Sequence, residues 1–156
     1  MTHILLSTYN DMFLTLKQGN CNMGKSIAKP VYLLSLFDCI ASFKLQENKI
    51  KFGDADLDER YEKYSSYYLN KTPISVPYFH LSSSSFYHLI WKGDFSHKSS
   101  MHTPSAKYLR EHLRYAKLDE ELWELVQDAG NREYFRRNII ARYLPNNNIV
   151  YHGEQV

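Results

Sequence analysis

Between Pro30 and Phe43 the chain reads PVYLLSLFDCIASF, with only Ser35, Asp38 and Ser42 clearly polar. Those three stand at i, i+3 and i+7, which draws one narrow stripe along a helix and no pattern along a strand. A helix apolar on every side but one stripe must be covered by neighbours over most of its surface. The stretch therefore predicts a buried central helix over 30–43, with the other elements arranged around it. Pro30 suits the first turn, where a missing N–H costs nothing and φ is already set. Lys29 is then expected just outside the N-terminus, beside a dipole end that favours anions.

The rest of the chain is long enough to cover such a helix. Its 156 residues, 44% apolar and 23% charged, predict one soluble globular domain. A net charge of +2 does not announce nucleic acid by itself, so only the distribution of charge matters. Two cysteines, Cys21 and Cys39, fit a reducing, cytoplasmic compartment. No leader pattern opens the chain and no apolar run reaches the roughly 18 residues of a membrane span, so neither secretion nor membrane insertion is expected. Thirteen tyrosines are the one odd count. Tyrosine buries well and keeps a polar tip, which suits wet interfaces and cores alike.

In order, residues 7–18 carry Tyr9, Met12, Phe13 and Leu16 at helical spacing, with Ser7 or Thr8 as cap. Residues 19–29 predict a loop. Ile50–Phe52 suits the start of a short strand before Gly53. From 54 to 72 an acidic start leads into a tyrosine-rich helix, with Leu57, Tyr61, Tyr64 and Tyr68 on one face and Thr72-Pro73 as its end. Val76–Leu81 and Phe86–Trp91 are apolar-aromatic runs separated by Ser82–Ser85, the pattern of an antiparallel hairpin. Thr103-Pro104 opens a helix carried by Ala106, Leu109, Leu113 and Ala116. Asp119 caps another, with Gly130 as its stop. Asn131 caps the last, with Phe135, Ile139, Ile140 and Tyr143 inward and Pro145 as its end. The fold class expected is α+β: a single helix-rich domain over 1–145 with a small antiparallel hairpin. Residues 146–156 are expected to be a frayed tail or a linker to a further domain.

Several patterns bear on chemistry. Gly19–Ser26, GNCNMGKS, satisfies the phosphate-loop expression, in which backbone N–H groups cradle phosphates and the lysine reaches the terminal ones. That motif needs a strand before it and an unbroken helix after it. Here the preceding pattern is helical, and Pro30 follows four residues past Ser26. The plainer expectation is a basic connector. Four of the seven histidines, His80, His88, His97 and His102, fall between 71 and 107 without the short ligand spacings of zinc, so no metal site is expected. The same segment holds Lys71, Lys92, Lys98 and Lys107 against the single acid Asp94, a local excess of three positive charges among aromatics. That composition suits a surface meeting phosphates. Arg132 and Arg136 are i, i+4 neighbours able to reach a phosphate backbone together, or to pair with Glu133 and the acids before it; the ion pairs are the expectation. No nucleophile-and-base arrangement stands out, so no catalytic residue and no cofactor is expected.

Three stretches, AKPVYLLSLFDCI, VPYFHLSSSSFYHLIW and TPSAKYLREH with LWELVQ, resemble in order and type the sulfur-binding domain of phosphorothioate-dependent HNH restriction endonucleases. The resemblance covers about residues 25–144. It implies a helix-rich α+β domain that binds duplex DNA, in which a shallow apolar pocket accepts a backbone phosphorothioate sulfur. Pro77 matches the family's pocket proline and Lys29 the basic residue before the long helix. Val76 stands where a tyrosine usually precedes that proline, and His80 where a small residue can follow. The HNH nuclease signature is missing from the chain, so cleavage is not implied. The DNA-binding residues expected on this basis are Lys25, Lys29, Pro77, Tyr78, His80, Lys98, His102 and Lys107. The partners implied are double-stranded DNA and a nuclease domain or subunit. Two other readings stay open: a small nucleotide-binding enzyme using Gly19–Ser26, and a tyrosine-rich protein-interaction module.

Overall fold

The computed structural model describes residues 2–21, 24–93 and 102–144. Helix α1 spans Thr2–Phe13, a short ribbon pairs β1 (Asn20–Cys21) with β2 (Gly24–Lys25), and α2 spans Ala28–Ala41. Helices α3 (Ala55–Tyr68) and α4 (Ser75–His80) follow, then β3 (Tyr87–Trp91), α5 (Ala106–His112) and β4 (Leu113–Leu118). Helices α6 (Glu120–Leu125) and α7 (Ala129–Tyr143) complete a helix-rich α+β domain with two small antiparallel sheets. No helix among the described residues is long and apolar enough to cross a membrane. The segment 145–156 lies outside the described residues.

Helix α2 is the centre of the core, with eleven of its 14 residues buried. Each fully covered Leu or Phe there contributes about 1.5–3 kcal/mol of apolar burial. Helices α1 and α7 and the chain before β3 meet this core through aromatic edges: Phe13 lies edge-on to Phe86 at 5.0 Å and to Phe135 at 4.9 Å. The polar stripe of α2 is shorter than its spacing predicts. Ser35 is fully buried and donates its hydroxyl to the Val31 carbonyl at 2.8 Å, so only Asp38 and Ser42 reach solvent. The helix also begins earlier, with Ile27 at the cap position, so Lys29 lies inside the first turn rather than before it.

Two segments depart from the expected periods. Val76–Leu81 is not a strand: Ser75–His80 is helical and Leu81–Ser83 continues as a single 3₁₀ turn. Pro77 is tolerated because it is the third residue of that helix, where no intrahelical donor is lost. So short an apolar run does not distinguish the two periods. Contacts decide it instead, as the Tyr78 hydroxyl donates to the Ile50 carbonyl at 2.6 Å and the Tyr78 carbonyl accepts from the Tyr87 hydroxyl at 2.7 Å. The helix opened near Thr103 stops at His112, is capped by Ser105 rather than Thr103, and gives way to strand β4.

Strand β3 therefore pairs with β4, not with Val76–Leu81, from Tyr87↔Leu118 to Trp91↔Leu113 with a bulge at Ile90/Trp91. Ile50 adds a single bridge to Ala116 from the other side. Helix α1 runs Thr2–Phe13 rather than 7–18. Asp128, not Asn131, caps α7 by accepting from the Asn131 amide at 2.9 Å, so Gly130 lies in that helix instead of ending the previous one. Asp119 stands at the cap position of α6, but its carboxylate is used elsewhere. It accepts from the Tyr9 hydroxyl at 2.8 Å and meets His88 Nε2 at 2.6 Å, tying α1 and β3 to α6.

Candidate functional site

The start of α2, the end of α4 and the connector from α1 meet around a cavity of about 640 Å³. Lys17, Asn20, Lys29, Pro77, His80 and Ser83 are among its walls. The connector is held onto α2 by its own polar groups. The Gln18 amide donates to the Ser26 carbonyl at 3.0 Å, the Ser26 N–H to the Gly19 carbonyl at 2.6 Å, and the Ala28 N–H to Ser26 Oγ at 3.2 Å. The far wall is set by how α3 ends. Leu69 takes a left-handed conformation at φ 60°, and Asn70 then bonds Tyr61 Oη and Ser65 Oγ. The Tyr61 hydroxyl donates in turn to the Thr72 carbonyl at 2.7 Å, which places Thr72 on the cavity rim before α4. His80 is oriented by a 2.8 Å hydrogen bond between its Nε2 and Thr103 Oγ1.

Lys29 is the partly buried cation of this cavity, with Lys17 on the same wall. Its ammonium donates to the Lys17 carbonyl at 2.6 Å and to Ser83 Oγ at 3.2 Å. Both partners are neutral, and two bonds leave one of three ammonium donors for a ligand. Burial first, and the charge of Lys17 second, pull the Lys29 pKa down to about 8. An anion in the cavity would restore the full charge, because an opposite charge nearby favours the protonated form.

The structure brings Lys29, Pro77 and His80 together although they lie about fifty residues apart in sequence. The other expected contact residues are placed differently. Lys25 is exposed on β2, paired across the ribbon with Asn20 of the cavity wall. Tyr78 is fully buried with its hydroxyl on Ile50, so it supports the wall from behind and offers no surface to a ligand. Lys107 is exposed on α5, 4.0 Å from Glu111, and His102 is exposed; neither lines the cavity. Lys98, with His97 and Asp94, lies outside the described residues.

Sequence reasoning missed Lys17, Asn20, Thr72 and Ser83 as cavity residues. The serine run carrying Ser83 reads as a hairpin loop, and nothing in its spacing signals that it faces the start of α2. In Gly19–Ser26 the element before is helix α1, the middle is the β1–β2 ribbon, and α2 begins at Ala28, three residues past the lysine. That differs from the strand–loop–helix context of a phosphate loop. Among the described residues no three His, Cys, Asp or Glu side chains gather into a metal-binding group. Arg132 pairs neither with Glu133 nor with the preceding acids; it donates to the Val126 and Gln127 carbonyls at 2.8 and 3.0 Å, satisfying the exposed end of α6. Arg136 reaches the Tyr64 hydroxyl at 3.4 Å.

The geometry defines a small α+β domain with a cleft walled by Lys17, Lys29, Pro77, His80 and polar backbone. No protein-family model matches the chain, and no curated protein matches it.

Proposed function

We propose that this chain is a DNA-recognition module of a restriction or defence system, reading backbone phosphate or phosphorothioate and relying on a nuclease domain or subunit for cleavage. The observation that carries this reading is the meeting of Lys29 with Pro77 and His80 in one cavity. A partly desolvated ammonium with one uncommitted donor favours an anionic oxygen or sulfur, and Val76 and Pro77 supply the apolar wall a polarisable sulfur would touch. Lys17 on the same wall and exposed Lys25 beside it add charge along the path a strand would follow. Cys21 and Cys39 are both free thiols, which suits a reducing compartment such as the cytoplasm.

The test is titration of matched duplexes with and without one phosphorothioate, at increasing salt. The expected result is affinity that falls steeply with salt, with a slope lowered by about one unit in Lys29→Ala. His80→Ala, which opens the space beside Pro77, should raise preference for the phosphorothioate duplex. A parent protein without salt-dependent affinity for any duplex at low ionic strength overturns the reading.

A further inference from the structure

A second hollow, of about 410 Å³, opens between α3 and α7 and is lined from α2 by Asp38. Asp38 is nine residues past Lys29, about two and a half helical turns, so the two point to opposite sides of α2 and lie roughly 14 Å apart along its axis. The DNA reading above does not involve this side of the molecule.

Arg60 and Lys63 of α3 and Arg136 of α7 bring three cations to the hollow; among the described residues Asp38 is the one acid of its lining, and Glu133 of α7 acts on Arg136 from an adjoining hollow. Asp38 is already engaged: the Tyr64 hydroxyl donates to its Oδ2 at 2.7 Å, and Arg60 Nε stands 4.0 Å from the same oxygen. Tyr64 also accepts from Arg136 Nη2 at a long 3.4 Å, so most of that guanidinium fork remains for a ligand. Lys63 is exposed at the rim. Two positive charges in excess, two of the three on planar forks, match a phosphate dianion. The cations alternate with aromatic rings along the same face of α3, where Arg60 and Tyr64, and Lys63 and Tyr67, stand four residues apart. Tyr64 and Tyr68 lie nearly parallel, 15° apart, and Tyr67 is edge-on to Tyr68 at 4.8 Å, with Ile140 completing the apolar side. A flat, weakly polar ring is the group such a wall accepts. The volume falls within the range of small-molecule sites, about 300–1,000 Å³.

We infer that this hollow binds a nucleoside monophosphate, its phosphate on Arg60, Lys63 and Arg136 and its base against the tyrosines. A purely structural tie between α3 and α7 would use Asp38, Tyr64 and Arg136, but neither the surplus cations nor the open volume.

The experiment is calorimetric titration of the full chain with AMP, adenosine and inorganic phosphate. AMP should bind saturably at one site, with adenosine and phosphate each weaker by about tenfold or more, since each supplies half of the recognition. Lys63→Ala, at an exposed position that leaves folding intact, should weaken AMP several-fold. Arg136→Lys, which keeps the charge and loses the fork, should weaken it further. Lys25→Ala and Lys29→Ala should bind AMP as the parent does, separating this site from the Gly19–Ser26 ribbon and from the Lys29 cavity. No saturable AMP binding up to millimolar concentration overturns the proposal. So does phosphate binding as tightly as AMP, or AMP affinity unchanged in both Lys63→Ala and Arg136→Lys.

Discussion

The Lys29 ammonium lies 2.6 Å from the Lys17 carbonyl oxygen, so the first turn of the central helix is fastened to the connector that precedes it by a cation on a neutral acceptor. A carbonyl and a serine hydroxyl compensate a buried charge less fully than a carboxylate would. The site thus holds its cation at some expense to the fold, and that has consequences for pH.

Anion binding at Lys29 should weaken as pH rises. With its pKa lowered to about 8 in the free protein, Lys29 is charged at pH 7 and increasingly neutral above 8. Above that value binding must take up a proton, and DNA affinity should fall by up to about tenfold per pH unit. Lys29→Arg, charged throughout the range, should show a flat profile between pH 7 and 9.5 by fluorescence anisotropy. Identical profiles in the two proteins would remove Lys29 from the interface.

Stability should move the other way. The folded pKa of about 8 lies below the reference value of 10.5, so between those values the unfolded chain binds more protons and stability rises with pH. The penalty is fully present below pH 8. Lys29→Met should accordingly unfold at higher urea concentration than the parent at pH 7, with the gap shrinking toward pH 10. A less stable Lys29→Met at pH 7 would mean that the bonds to Lys17 and Ser83 outweigh desolvation.

The core of α2 makes a sharper contrast between neighbours. Leu34 and Ser35 are both fully buried. Leu34→Asp should prevent folding, because an unpaired buried carboxylate costs more than the roughly 5–15 kcal/mol margin of a typical domain or comes close to it. Ser35→Ala removes one hydroxyl bonded to its own helix and should shift stability by less than about 1 kcal/mol. Circular dichroism of both variants decides it; equal tolerance would contradict the burial of this helix.

Asp58 should be a site of easy stabilisation. Its Oδ1 is buried with no hydrogen-bond partner among the described residues, and burial first, then Asp54 and Glu62, raise its pKa above the reference 3.8. A raised folded pKa means a penalty present at neutral pH and absent below about the reference value. Asp58→Asn should be more stable than the parent at pH 7, and the two should converge toward pH 3.8 in thermal melts. A destabilised Asn variant at pH 7 would show that the charge is compensated.

What the sequence determined by itself is the long-range plan that rests on period and burial. The apolar run from Pro30, the tyrosine face of Leu57, Tyr61, Tyr64 and Tyr68, and the face of Phe135, Ile139, Ile140 and Tyr143 each extend over two or more turns. A 3.6-residue period is legible over that length. Val76–Leu81 and Leu113–Leu118 are too short for period to choose, and their partners chose for them. Tyr78 is held by Ile50 and Tyr87, and Ala116 exchanges backbone bonds with Ile50 and pairs with Leu89. The candidate cleft divides in the same way. Lys29 stands out in the sequence as the cation beside the start of the apolar run, whereas Lys17 and Ser83 enter through hydrogen bonds to Lys29 across 12 and 54 residues. Such bonds leave no trace in local spacing, because a polar side chain or carbonyl in a loop looks the same whether it meets water or a half-buried ammonium. Only the packed chain decides which.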